Sequence, residues 1–141
     1  MIHEKLLKFK ALNVTIEKDG VNPHFKNRYS TLNEVLSKVQ KPLADMKVLV
    51  IQSPRIDGLE TILRDTEDDT EISSLVPYTG VPDMQKLGGA ITYARRYALI
   101  SMLGLEDEDD DGTTTVKPIL SLKKGIQEQT DAPFNGNDFK L

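Results

Sequence analysis

Cysteine is absent from all 141 residues, which excludes disulfides, thiolate metal ligands and thiol nucleophiles. No apolar run approaches the ~20 residues that a membrane-spanning helix needs. The opening MIHEKLLKFK carries too many charges for a secretory signal. The expectation is a soluble, cytoplasmic protein with no membrane contact. Histidine is scarce as well, and His3 and His24 stand at no metal-ligand spacing with each other. A phosphate-gripping GxxxxGK[ST] loop is missing, because Lys86-Leu87-Gly88-Gly89 has neither the glycine spacing nor the Ser/Thr. No Ser/His/Asp nucleophile arrangement is discernible either. ATP hydrolysis is therefore unsupported, and no cofactor or metal is expected.

Positive charge is in deficit overall, with a net charge of −4. Its distribution is uneven. Residues 1–50 hold nine Lys and Arg against five Asp and Glu, residues 51–105 hold five against eight, and Glu106 to Asp111 are acidic without a break. Local potential, rather than the sum, steers a polyanion, so a basic N-terminal half and an acid strip are compatible on one nucleic-acid binder. At 38% hydrophobic, a chain of this length supports one domain with part of the sequence left outside its core.

The periodicity places elements along that domain. Leu7, Ala11 and Val14 form a stripe within residues 2–16, with Lys5, Lys8 and Lys10 on the remaining faces, predicting a helix that ends near Lys18 before the Asp19-Gly20 turn. Residues 21–32, broken by Asn22-Pro23, read as a loop. A second helix follows, capped by Ser30 or Thr31, with Glu34 at the capping-box position and Leu32, Val35, Leu36, Val39, Leu43 and Met46 at helical spacing. Pro42 is expected to bend or interrupt it. The period then shortens, giving strands at 48–52, 59–64 and 71–78 with turns at Asp57-Gly58 and Asp68-Asp69. Asp83 caps a helix over 84–103, whose stripe is Leu87, Ile91, Ala94, Ala98 and Met102. The fold class is α+β, in the order α-α-β-β-β-α, a three-stranded antiparallel meander covered by helices. Residues 1–105 form the domain, 106–118 an acidic linker and 119–141 a flexible, disordered tail, apart from a short helix through Ile119, Leu120, Leu122 and Ile126.

Two segments mix cations with rings: Phe25, Lys26, Arg28 and Tyr29 in the loop, and Tyr93, Arg95, Arg96 and Tyr97 on the last helix. The plain interpretation has the rings anchored in the core and the arginines paired with carboxylates. The sharper one is a nucleic-acid surface, because arginine forks match phosphate and tyrosines stack bases. A metal-dependent nuclease on the acid run is the enzymatic alternative. Asp107, Asp109, Asp111 and Gly112 open like a calcium loop, but Pro118 stands where the bidentate glutamate is required, and Thr113 to Thr115 follow the run where a two-metal site needs rigid carboxylates. An interaction module is the third class: Asp131-Ala132-Pro133-Phe134 is similar to the acidic tip of bacterial single-strand-binding proteins, though there the phenylalanine ends the chain and here seven residues follow. In this class Phe134 or Phe139 docks a partner.

Taken together, Asn22-Pro23, Phe25-Lys26, Tyr29, Thr31-Leu32, Gly58-Leu59, GGAITYARRYAL at 88–99, Gly104-Leu105 and DDDG at 109–112 resemble the ERF (essential recombination function) family of phage and prophage single-strand annealing proteins. The resemblance spans most of residues 3–112, and His24 departs from it where a bulkier apolar residue is expected. It implies a non-enzymatic protein that binds single-stranded DNA and pairs complementary strands without ATP. It also implies assembly into rings or filaments, action in recombination and repair in the bacterial host cytoplasm, and work beside a single-strand-binding protein or an exonuclease. A β-β-β-α core shared with other annealing proteins is implied as well. The residues it carries into DNA binding are Lys26, Arg28 and Tyr29 with Tyr93, Arg95, Arg96 and Tyr97. Of these, Tyr93 and Tyr97, four apart, are expected to be more structural than the arginines.

Overall fold

The computed structural model describes residues 1–24, 26–81 and 83–107. Alternation of side chains in three successive strands builds its sheet: β4 Val48–Pro54, β5 Gly58–Asp65 and β6 Glu71–Pro77, antiparallel in the order β4-β5-β6. Register pairs Val50 with Leu63 and Leu63 with Ile72, so every second residue faces the same way across all three strands. Leu59, Thr61, Leu63 and Asp65 of β5 are buried. The opposite face carries Leu49 and Leu75, both exposed, beside the Arg64–Glu71 and Arg55–Glu60 ion pairs.

Three helices cover the inward face: α1 Ile2–Ala11, α2 Leu32–Asp45 and α3 Met84–Leu103. Ile2, Phe9, Val35, Val39, Leu43, Leu99 and Leu103 pack with Val48 and Leu63 into one cluster. Truncating such a residue to alanine costs about 2–5 kcal/mol. Asp83 caps α3 as its spacing predicts, its carboxylate accepting from Lys86 N at 2.8 Å. The helix ends where Gly104 takes φ +60°, a left-handed turn that places Leu105 back in the core. α1 is tied to the sheet by a buried carboxylate: Asp65 accepts from Lys5 Nζ at 2.5 Å and from Glu67 N at 2.9 Å. The Lys5 hydrogen bond is the largest cause holding the Asp65 carboxyl below the usual carboxylate range.

The α+β class and the antiparallel meander are as the pattern predicts, and four local expectations change. The first helix stops at Ala11 rather than near Lys18, because Asn13 turns left-handed (φ +51°) and the β-branched pair Thr15–Ile16 becomes strand β1. Its buried residues are Ile2 and Phe9, whereas Leu7 and Ala11 of the expected stripe are exposed. Second, β1 pairs in parallel with β7 Glu106–Asp107, so the first two acidic residues form a strand rather than linker. Third, residues 21–32 are no plain loop, since β2 Gly20–Val21 pairs antiparallel with β3 Arg28–Tyr29. Fourth, α2 runs through Pro42 without interruption. Phe25, the chain beyond Asp107, the Asp131–Phe134 motif and the expected tail over 119–141 lie outside the described residues.

Candidate nucleic-acid interface

The β2–β3 hairpin is held from both ends. At its tip, Asn22 N donates to Asn27 O at 2.9 Å, Lys26 N donates to Asn22 O at 2.8 Å, and the Asn22 side chain accepts from His24 N at 3.0 Å. Lys26 takes the left-handed conformation (φ +54°) that closes the turn. Lys26 and Arg28 are exposed and make no ion pair among the described residues. At the base, the Asp19 carboxylate accepts from Thr31 N and Thr31 Oγ1, each at 2.8 Å, and the Thr31 backbone N–H leads the causes that lower the Asp19 pKa. Thr31 is also the N-cap of α2, accepting from Glu34 N at 3.2 Å. The expected reciprocal bond from Glu34 is replaced: Asp19 already takes the Thr31 N–H, and Glu34 accepts from Glu17 N at 3.2 Å instead. One threonine thus couples the hairpin to a core helix.

Tyr29, at the base of the hairpin, lies across Gly20. A Cβ there would stand 2.7 Å from Tyr29 Cζ, so the close approach of ring to backbone requires glycine. This places Tyr29 over α3, where Tyr93, Arg96 and Tyr97 sit at i, i+3 and i+4 and share one helical face. The Arg96 guanidinium carbon stands 4.7 Å from the Tyr29 ring centre, 4.8 Å from Tyr93 and 5.1 Å from Tyr97. Arg96 Nη1 donates to the Ser30 carbonyl at 3.1 Å. Arg96 is only 8% exposed, while Tyr29, Tyr93 and Tyr97 keep 39%, 53% and 53% of their surface open. Tyr93 and Tyr97 are tilted by 35° with centres 5.6 Å apart. Each cation–ring contact contributes about 0.5–1 kcal/mol in solvent and about 2 kcal/mol when desolvated. The result is a charged centre under three outward rings.

Arg95, one residue earlier, points elsewhere. Its Nε donates to Gln52 Oε1 at 3.2 Å, and Gln52 Nε2 donates back to the Arg95 carbonyl and to Thr61 Oγ1, both at 3.1 Å. Its terminal guanidinium nitrogens have no acceptor among the described residues, and Arg95 lines a cavity of about 180 Å³ between α2, β4 and α3 together with Gln40 and Leu36. Gln52 fixes the guanidinium stem while leaving its fork free for an anion.

The structure therefore brings Tyr29 together with Tyr93, Arg96 and Tyr97, sets Lys26 and Arg28 on the hairpin that carries Tyr29, and places Arg95 at a separate groove. Exposure runs opposite to the expectation that the tyrosines are the more structural residues. Arg96 is the buried member, and the rings face out. Sequence reasoning missed Gly20, Ser30, Asp19 and Gln52. Gln52 was within reach, since strand alternation puts it on the face of Val48 and Val50; Ser30 acts through its backbone carbonyl, which leaves no side-chain signal. Among the described residues no group of three or more His, Asp or Glu converges to hold a metal ion, and no helix is long and apolar enough to cross a membrane. A family model described as the ERF superfamily matches residues 2–133. No curated protein and no solved structure matches the chain.

Proposed function

The chain belongs to the ERF superfamily, whose members are phage recombination proteins of the single-strand annealing kind, and from that premise we propose that it binds single-stranded DNA and anneals complementary strands without ATP. The observation that carries this reading is the trio of exposed tyrosines gathered around Arg96, on and beside a hairpin that carries the exposed cations Lys26 and Arg28. Annealing makes and breaks no covalent bond. It requires that backbone charge be neutralised, that bases be lifted from their own strand, and that their pairing edges stay free. Stacking on a ring meets the last two conditions at once, because a ring holds a base by its face; each stacked base adds about 1–3 kcal/mol. Lys26, Arg28 and Arg95 supply phosphate contacts, each adding roughly −0.7 to the slope of log affinity against log salt.

A domain with three rings grips few nucleotides. Copies aligned along one strand raise the effective concentration of every next contact, so the active form is a homo-oligomer on DNA. The test mixes purified protein with complementary labelled oligonucleotides, with and without magnesium and without nucleotide, and follows duplex formation and strand length. Faster duplex formation at constant strand length, with assembly on the strand by light scattering, is the expected result. Shortening that requires magnesium makes the protein a nuclease, and no effect on either makes it a protein-interaction module.

A further inference from the structure

The geometry points to Arg96 as a positioning residue that never touches the strand: it sets Tyr29, Tyr93 and Tyr97 into one platform for the faces of unpaired nucleobases. This deepens the single-strand reading and rests on it for the ligand. Three observations separate Arg96 from an ordinary phosphate contact. It is 8% exposed, which leaves little of the side chain open to a phosphate. Its Nη1 is already committed to the Ser30 carbonyl. And the rings it gathers come from two elements, Tyr29 from the hairpin and Tyr93 and Tyr97 from the helix, that have no covalent reason to meet there.

The rings, by contrast, are met over their faces by the Arg96 guanidinium and keep 39%, 53% and 53% of their surface open. Three tyrosines this exposed gain little from burial and lose rotamer freedom when fixed, so an apolar core does not explain their position. A planar cation does, since it attracts several ring faces at once while one edge hydrogen-bonds the backbone. Lysine cannot replace it, because an ammonium is a compact point charge with no fork to bridge Ser30 and three rings. Arg96 and Arg95 thus divide the work: one orders rings, the other offers an anion the terminal nitrogens that have no acceptor among the described residues.

The experiment uses the full chain with Arg96→Lys, Arg96→Gln and Tyr93→Leu. Binding of a thymidine oligonucleotide is measured across a salt series. Arg96→Lys, with charge intact, is expected to weaken binding roughly tenfold at every salt, the loss of about one stacked base, with the salt slope unchanged. A slope that falls by roughly 0.7 in Arg96→Gln and is restored in Arg96→Lys makes Arg96 a phosphate contact and overturns the inference. A DNA-free arm records the ring proton shifts of Tyr29, Tyr93 and Tyr97 by NMR. All three are expected to move together in Arg96→Lys, with Tyr29 also moving in Tyr93→Leu less than in Arg96→Lys. Unchanged Tyr29 shifts in Arg96→Lys overturn the inference. If the wild-type chain binds no oligonucleotide, the annealing function falls, while the ring shifts still decide whether Arg96 orders the rings. Should Arg96→Gln fail to fold, the ring shifts in Arg96→Lys decide the inference, unchanged Tyr29 shifts overturning it.

Discussion

At the residue scale, the site depends on a small number of atoms outside the rings themselves. Gly20 is one. An added methyl meets Tyr29 Cζ at 2.7 Å and Thr31 Cγ2 at 2.9 Å, and of these the Tyr29 ring is the freer to move, being open on its outer side. Gly20→Ala is therefore expected to keep the fold, melting within a few degrees of wild type, while Tyr29 swings off Arg96. Single-strand affinity then falls by roughly tenfold, one stacked base; paired melting and fluorescence-anisotropy titrations check it, and an unfolded variant would show that the Tyr29 ring does not yield to the added methyl. Arg95 gives the complementary case. Its stem is fixed by Gln52 and its terminal nitrogens are free of acceptors among the described residues. Arg95→Gln removes one phosphate contact, so the salt slope becomes shallower by roughly 0.7. A salt titration with an unchanged slope would show that the groove beside Arg95 holds no phosphate.

At the element scale, α2 and α3 were legible and residues 12–31 were not, for a physical reason that the residues make plain. Helix α3 has an Asp83 cap, a glycine stop at Gly104 and apolar residues over five turns, so many weak signals agree. Within residues 12–31 each strand is two residues long, too short for any period to register, and its pairing is fixed by Asp19, Thr31 and Glu106–Asp107, contacts that are distant in sequence. The same holds for the site. Tyr93, Arg96 and Tyr97 share a face by spacing alone, whereas the arrival of Tyr29, and with it the burial of Arg96, is a tertiary event. Helix α3 also contains an unexplained cost. Gly88 and Gly89 lie inside it with open space where a Cβ would sit, so no packing among the described residues requires glycine at either position. Gly88→Ala and Gly89→Ala should each stabilise the domain by about 0.5–1 kcal/mol through helix propensity. Denaturant midpoints decide this, and a lower midpoint for either variant would contradict it.

At the scale of the whole molecule, two acidic anchors fasten the pieces that carry or support the site. Asp19 ties the hairpin to the start of α2, and Asp65, Glu67 and Asp68 gather at the end of the sheet where α1 is docked. All four carboxyls are lowered. Thr31 N–H is the leading cause for Asp19, Lys5 for Asp65 and Glu67, and the Thr70 hydroxyl for Asp68, which is brought down to about 2. A folded pKa below the unfolded value means the unfolded chain binds protons first as pH falls. The stabilisation is thus complete above the unfolded carboxylate range of about 3.9–4.3 and is lost as pH drops through the lower folded values. Melting temperature should be level between pH 7 and about 5 as far as these groups act, then decline toward pH 2. The two anchors separate by substitution. Glu67→Gln should blunt the acid decline of global melting, whereas Asp19→Asn should act mainly on the hairpin, seen as a shift of the Tyr29 ring protons that no longer changes with acid. A stability that rises from pH 5 to pH 3 would reverse the sign and remove both anchors, and with them the account of how a short hairpin keeps Tyr29 on its arginine.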